Sequence, residues 1–155
     1  MRPKMIIRFY LDGQLVEADV KPTDTLLKLL VDKLGLTSVH YGCGEGSCGA
    51  CMVLVDGKLR YSCLTFAASV NDKHVTTVAG LLSDHELSPL QKKFVENNAA
   101  QCGYCTPGMV LVAKALLDKN PSPSDEEIFD ALAGNLCRCT GYVPIVNAVK
   151  SAARR

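Results

Sequence analysis

Eight cysteines carry the chemistry of this 155-residue chain, and they fall into two groups of four. Cys43, Cys48, Cys51 and Cys63 follow the pattern C-x4-C-x2-C-x11-C. Cys102 and Cys105 form C-x2-C, and Cys137 and Cys139 form C-x-C much later. The 38 residues between the groups contain no cysteine. The first spacing is that of plant-type [2Fe–2S] centres. Its loop, "YGCGEGSCGACMVLVDG", also carries Gly42, Gly44, Gly46 and Gly49. A loop that folds three thiolates onto one small anionic group needs backbone angles that a Cβ resists and glycine accepts cheaply. Bare backbone lets N–H groups approach the sulfurs as well, which stabilises negative charge and helps to set a reduction potential. Cys63 would reach in from the following hairpin. The competing chemistry is structural zinc, which takes four thiolates but draws them from paired C-x2-4-C knuckles. Here Cys48 and Cys51 form one close knuckle while Cys43 and Cys63 stand apart from it rather than making a second, so iron–sulfur is the better reading of this group.

The second group, "QCGYCTPG" with "GNLCRCTG", is less decided by spacing. A C-x2-C pair with a distant partner also suits zinc. The tight C-x-C pair sends adjacent ligands in awkward directions. Both pairs lie at helix edges, where exposed N–H groups favour a nearby anion. Spacing alone leaves iron–sulfur and zinc level. A second four-cysteine group in one chain leans the balance towards iron–sulfur.

Two different scaffolds are expected to hold these groups. In the first half, "MIIRFYLDG" and "QLVEADV" read as strands around an Asp12-Gly13 turn, and "MVLVDGKLRYSCL" as a hairpin turning at Asp56-Gly57. Between them, "PTDTLLKLLVDKLG" places Leu26, Leu27, Leu30, Val31 and Leu34 at helical spacing, with Gly35 as a stop. "HVTTV" is a last short strand, so an α+β sheet domain is expected. The second half reads as four short helices. Ser88-Pro89 and Thr106-Pro107 are each read as a cap followed by proline, and Ser124 with Glu127 as a capping box. "PIVNAVKSAAR" is the last helix. The boundary falls near residue 80, giving units 1–79 and 80–155.

Composition narrows the function. With 48% hydrophobic residues the chain can build a core, and a net charge of +1 offers no electrostatic basis for nucleic-acid or membrane-surface binding. No basic run exceeds the Arg154-Arg155 pair, no apolar run is long enough to span a membrane, and the N-terminal apolar stretch is too short for a secretory leader. A reducing, cytoplasmic compartment is therefore expected, where cysteines serve as metal ligands rather than disulfides. His40, His74 and His85 stand apart from the cysteine motifs in sequence and read as surface or packing residues. Met109 and the leucines of 26–34 read as core. No nucleophile triad, paired carboxylates or phosphate loop is found, so no catalytic residue is assigned.

"GCGEGSCGACMVLVDG", "SCL", "QCGYCTPGM" and "GNLCRCTGYVPIVNAV" closely resemble the iron–sulfur small subunit of the molybdenum hydroxylases, the xanthine oxidase family, across about residues 4–153. The resemblance implies a β-grasp, ferredoxin-like [2Fe–2S] domain followed by a four-helix-bundle [2Fe–2S] domain. It implies a relay of electrons from a molybdenum–pterin centre through both clusters to FAD, reversed in one branch of the family. By position, Cys102, Cys105, Cys137 and Cys139 would hold the cluster next to the pterin. Cys43, Cys48, Cys51 and Cys63 would hold the one nearer the flavin. Gln101 and Cys139 match residues within reach of the pterin. The implied partners are a large molybdenum–pterin subunit and a medium FAD subunit, in a hetero-oligomer for which a dimer of heterotrimers is one arrangement. A chain ending at Arg155 leaves no room for those domains, so other chains are expected to carry them. It also lacks the export signal of periplasmic relatives. Ser47 stands where many relatives have glycine. The rival readings are a stand-alone ferredoxin-like carrier and a zinc-stabilised interaction module.

Overall fold

The computed structural model describes residues 5–153. Residues 1–4 and the Arg154-Arg155 pair, on which parts of the leader and charge readings fell, lie outside them. β1 (Met5–Leu11) and β2 (Gln14–Val20) pair antiparallel, from Met5 opposite Val20 to Leu11 opposite Gln14. The connecting Asp12 and Gly13 both take positive φ, as the predicted two-residue turn requires. β3 (Met52–Val55) and β4 (Lys58–Tyr61) form the second hairpin around Asp56-Gly57. β5 (His74–Thr76) runs parallel to β1 and antiparallel to β3, giving the sheet order β2-β1-β5-β3-β4.

A helix lies against this sheet, but not in the regular form that leucine spacing predicts. α1 covers only Leu26–Lys28, capped by the Thr25 hydroxyl, which accepts from Lys28 N–H at 3.2 Å. Leu29–Lys33 continues as a wider π-helical turn, in which Leu34 N–H reaches Leu29 O at 3.0 Å. The wider turn lets Leu26, Leu27, Leu29 and Leu30 all enter the core with Phe9 and Val53. Gly35 (φ 68) stops it.

The second half holds α2 (Pro89–Glu96), α3 (Thr106–Lys119), α4 (Asp125–Leu132) and α5 (Val143–Ala152). Capping boxes at Ser88/Gln91 and Ser124/Glu127 open α2 and α4 as predicted. Thr106 corrects another expectation: it is the first residue of α3, not its cap, and Cys105 occupies the cap position. Phe94, Met109, Val112, Ile128, Ile145 and Val149 fill the helical core. Met52 joins that core from β3, so the strand is covered on both faces and all four of its residues are buried. This explains the uninterrupted apolar run "MVLV". It also fixes the two halves against each other. Among the described residues no helix is long and apolar enough to cross a membrane.

Candidate metal centres

The β3–β4 register builds half of the first centre. Because Met52 lies opposite Tyr61, Cys51 just before β3 and Cys63 just after β4 are held side by side. Both are buried, and Ser62 locks the arrangement by donating its hydroxyl to Cys51 O at 2.7 Å. Their sulfurs are within hydrogen-bonding reach, and burial, followed by the neighbouring Cys51, pushes the Cys63 thiol up to about 11. The glycine-rich loop supplies the other half. Cys43 N–H points at Cys48 Sγ (3.3 Å), and Ser47 and Glu45 N–H groups point at Cys43 Sγ (3.2 and 3.4 Å). The Ser47 side chain, followed by these N–H groups, draws the exposed Cys43 thiol down to about 6.

Gly44, Gly46 and Gly49 have positive φ, as the loop reading requires, whereas Gly42 does not. Gly42 is needed for space instead, since a Cβ there would lie 2.5 Å from Cys48 Sγ. At Gly49 both constraints meet: φ is +74, and a Cβ would fall 2.3 Å from Asn135 Cγ, in the other half of the chain.

The second centre is assembled where α3 begins and where the α4–α5 connection passes over it. Cys105 caps α3, while Cys102 lies on the turn before it, closed by Thr106 N–H to Gly103 O at 3.2 Å. Tyr142, in a left-handed conformation at the start of α5, staples the opposite loop. Its phenol accepts from Cys137 N–H (2.9 Å) and donates to Asn135 O (3.3 Å). Cys105 and Cys137 pair through their sulfurs, as do Cys102 and Cys139. Burial pushes Cys105 up to about 12. Burial also acts upwards on Cys137, but the Thr140 hydroxyl at 3.0 Å and its N–H at 3.5 Å outweigh it and the thiol is lowered. Cys102 is lowered by the Tyr104 N–H and by Cys139, and Cys139 is raised by Cys102 in return.

Sulfurs therefore gather two by two. Among the described residues no three His, Cys, Asp or Glu side chains converge as a single metal ion requires. Paired thiolates are the donors that each iron of a [2Fe–2S] centre takes from a protein. The structure brings the eight cysteines named from the sequence together in pairs: Cys43 with Cys48, Cys51 with Cys63, Cys102 with Cys139 and Cys105 with Cys137. Gln101 is exposed immediately before Cys102. His40, read as a surface or packing residue, packs on Tyr104, inside the second cysteine motif, with ring centroids 4.5 Å apart. Sequence reasoning also missed Tyr142, Thr140 and Asn135, whose roles depend on contacts that no spacing records.

A sheet domain and a helical bundle, each presenting four paired cysteines, define a two-centre iron–sulfur electron carrier. Residues 9–80 match the family described as 2Fe-2S iron-sulfur cluster binding domain, and residues 77–150 the [2Fe-2S] binding domain. The chain is 49% identical to the nicotinate dehydrogenase small FeS subunit of Eubacterium barkeri, over 98% of this chain and 97% of that one. It is 47% identical to the nicotine 6-hydroxylase small subunit of Paenarthrobacter nicotinovorans, over 91% of this chain and 85% of that one. Quinoline 2-oxidoreductase from Pseudomonas putida 86 contains a chain that superposes with a TM-score of 0.93 at 39% identity, covering 97% and 93% of the two chains. The chain belongs to the molybdenum hydroxylase family, as its iron–sulfur small subunit. It is an electron-transfer component of an oxidoreductase complex with larger partner subunits, and the carrier and zinc-module alternatives are not favoured.

Proposed function

We propose that Cys43, Cys48, Cys51 and Cys63 hold one [2Fe–2S] cluster within residues 1–79, and that Cys102, Cys105, Cys137 and Cys139 hold the other within 80–155. The two-by-two approach of the cysteine side chains is the observation that carries this assignment: Cys43 with Cys48 and Cys51 with Cys63, then Cys102 with Cys139 and Cys105 with Cys137. When bound, each cluster takes up and releases one electron. The chain's own residues set the conditions for that exchange. Backbone N–H groups of Glu45, Ser47, Tyr104 and Thr140 face ligand sulfurs and favour their negative charge, while burial of Cys51 and Cys63 limits solvent.

Gln101 and the exposed Cys139 form the side that meets the pterin of a large molybdenum-bearing subunit, and the first cluster delivers electrons to FAD on a medium subunit. The complex is a hetero-oligomer, with a dimer of heterotrimers as the arrangement to test, and the abundance of thiols supports a cytoplasmic location. Relatives named for nicotinate, nicotine and quinoline make N-heteroaromatic rings the first substrates to try. The test is to purify the intact complex and measure iron, acid-labile sulfide, visible absorption and electron paramagnetic resonance. About four irons per small subunit and two distinct reduced signals are expected. A colourless, zinc-bearing subunit would refute the assignment.

A further inference from the structure

The two cysteine loops touch at a second place. His40, three residues before Cys43, stacks its ring on Tyr104, which lies between Cys102 and Cys105, at 4.5 Å and 17°. His40 Nδ1 is 2.8 Å from Tyr104 O, and Tyr104 donates its phenol to Tyr41 O. His40 is also tied to the far end of its own loop, donating its N–H to Ala50 O at 3.3 Å. The loops are also joined where Leu136 N–H donates to Cys48 O at 2.9 Å and Asn135 Nδ2 donates to Gly49 O at 3.5 Å. Those bonds lie towards the C-terminal end of the first cysteine loop, and the His40–Tyr104 stack holds its N-terminal end.

We propose that His40 and Tyr104 are positioning residues for electron transfer between the two clusters, a clamp that keeps the loops from hinging open about the Cys48–Leu136 bond. The inference rests on the ligation proposed above. In the step concerned, one electron leaves a reduced cluster and enters its oxidised neighbour, and no bond forms or breaks. Tunnelling falls off exponentially with separation, so a small opening slows the exchange severalfold. Neither residue holds a cluster.

The test uses the assembled complex carrying His40→Ala, Tyr104→Ala, His40→Phe or Tyr104→Phe, with iron content and paramagnetic resonance of the dithionite-reduced protein as readouts. When both clusters are reduced, their dipolar splitting falls with the cube of the distance between them. The Ala variants should keep wild-type iron and each cluster's own signal, lose part of the splitting and slow cluster-to-cluster transfer severalfold. His40→Phe, which keeps a ring to stack, should recover most of both. Unchanged splitting and rate in the iron-replete Ala variants overturns the clamp, as does a Phe variant no better than Ala. Should the Ala variants lose iron, Tyr104→Phe decides, since it removes only the bond to Tyr41: a partial loss of splitting is expected, and wild-type splitting overturns the proposal. Wild-type complex with no pair of cluster signals overturns the ligation itself, a result distinct from failure of the clamp alone.

Discussion

Replacing Gly49 by alanine should damage the junction between the two halves far more than an ordinary glycine substitution. Gly49 has φ +74, where an added Cβ costs about 1–2 kcal/mol. That Cβ would also lie 2.3 Å from Asn135 Cγ and Oδ1. Asn135 is only 1% exposed and has little room to withdraw, because Gly108 is also packed close to its amide. Forcing it aside adds an overpacking cost of about 1–3 kcal/mol and strains the Leu136–Cys48 hydrogen bond next to it. The sum is about 2–5 kcal/mol, or roughly 10 °C in Tm for a chain of this size. Gly57→Ala is the control, because Gly57 has the same φ of +74 but nothing within 4 Å of its added Cβ. It should lose only about 1–2 kcal/mol. Thermal melts followed by circular dichroism compare the two variants. Asn135→Gly in the Gly49→Ala background should return the double variant towards the control. Equal losses in Gly49→Ala and Gly57→Ala would refute the reasoning.

Other perturbations separate the roles of individual residues. Asp24 is 3% exposed and held at about 2, below the ordinary 3.8, first by the Lys33 ammonium at 2.8 Å and then by Lys21 N–H. Its folded value lies below the unfolded one, so its contribution of about 2 kcal/mol is present above pH 4 and lost as pH falls through about 2. In urea unfolding, Asp24→Asn should therefore be less stable than wild type at pH 7, with the gap closing in acid; a gap constant down to pH 3 would contradict this. Cys139→Ser should halve the iron content and erase the second cluster's signal while the first survives, and loss of both would deny two independent centres. Gln101→Ala should leave both cluster spectra intact but slow their reduction by substrate in the complex roughly fivefold to tenfold, read by stopped-flow absorption. Ser124→Ala removes the hydroxyl that accepts from Glu127 N–H at 3.2 Å and should cost about 1 kcal/mol, measured by the melt.

Much of this molecule is legible in its sequence because local chemistry is strict. The Asp12-Gly13 and Asp56-Gly57 turns and the Ser124/Glu127 box each encode one geometry within a few residues, and each appears where it should. The departures are equally physical. Leucines at 26, 27, 30, 31 and 34 satisfy a helical period, but a pattern of apolar residues does not reveal a turn widened to seat Leu29 as well. Thr106-Pro107 resembles a cap and its proline, yet the turn at Cys102–Cys105 already runs into the helix one residue earlier. His40 and Tyr104 are 64 positions apart, and nothing in either segment announces that their rings will meet. The site's ligands are local signals. Its supporting contacts are not.

The placement of β5 bears on how such a subunit comes to be loaded. All four cysteines of the first centre are synthesised before the strand that unites the two hairpins presenting and bracing them, and that strand is only three residues long. A nascent chain paused after Cys63 would own every sulfur it needs and still lack a joined sheet to hold them in place. Only with Val75 in place do its two neighbours close on it from either side, so β5 is the strand that turns two separate hairpins into one support.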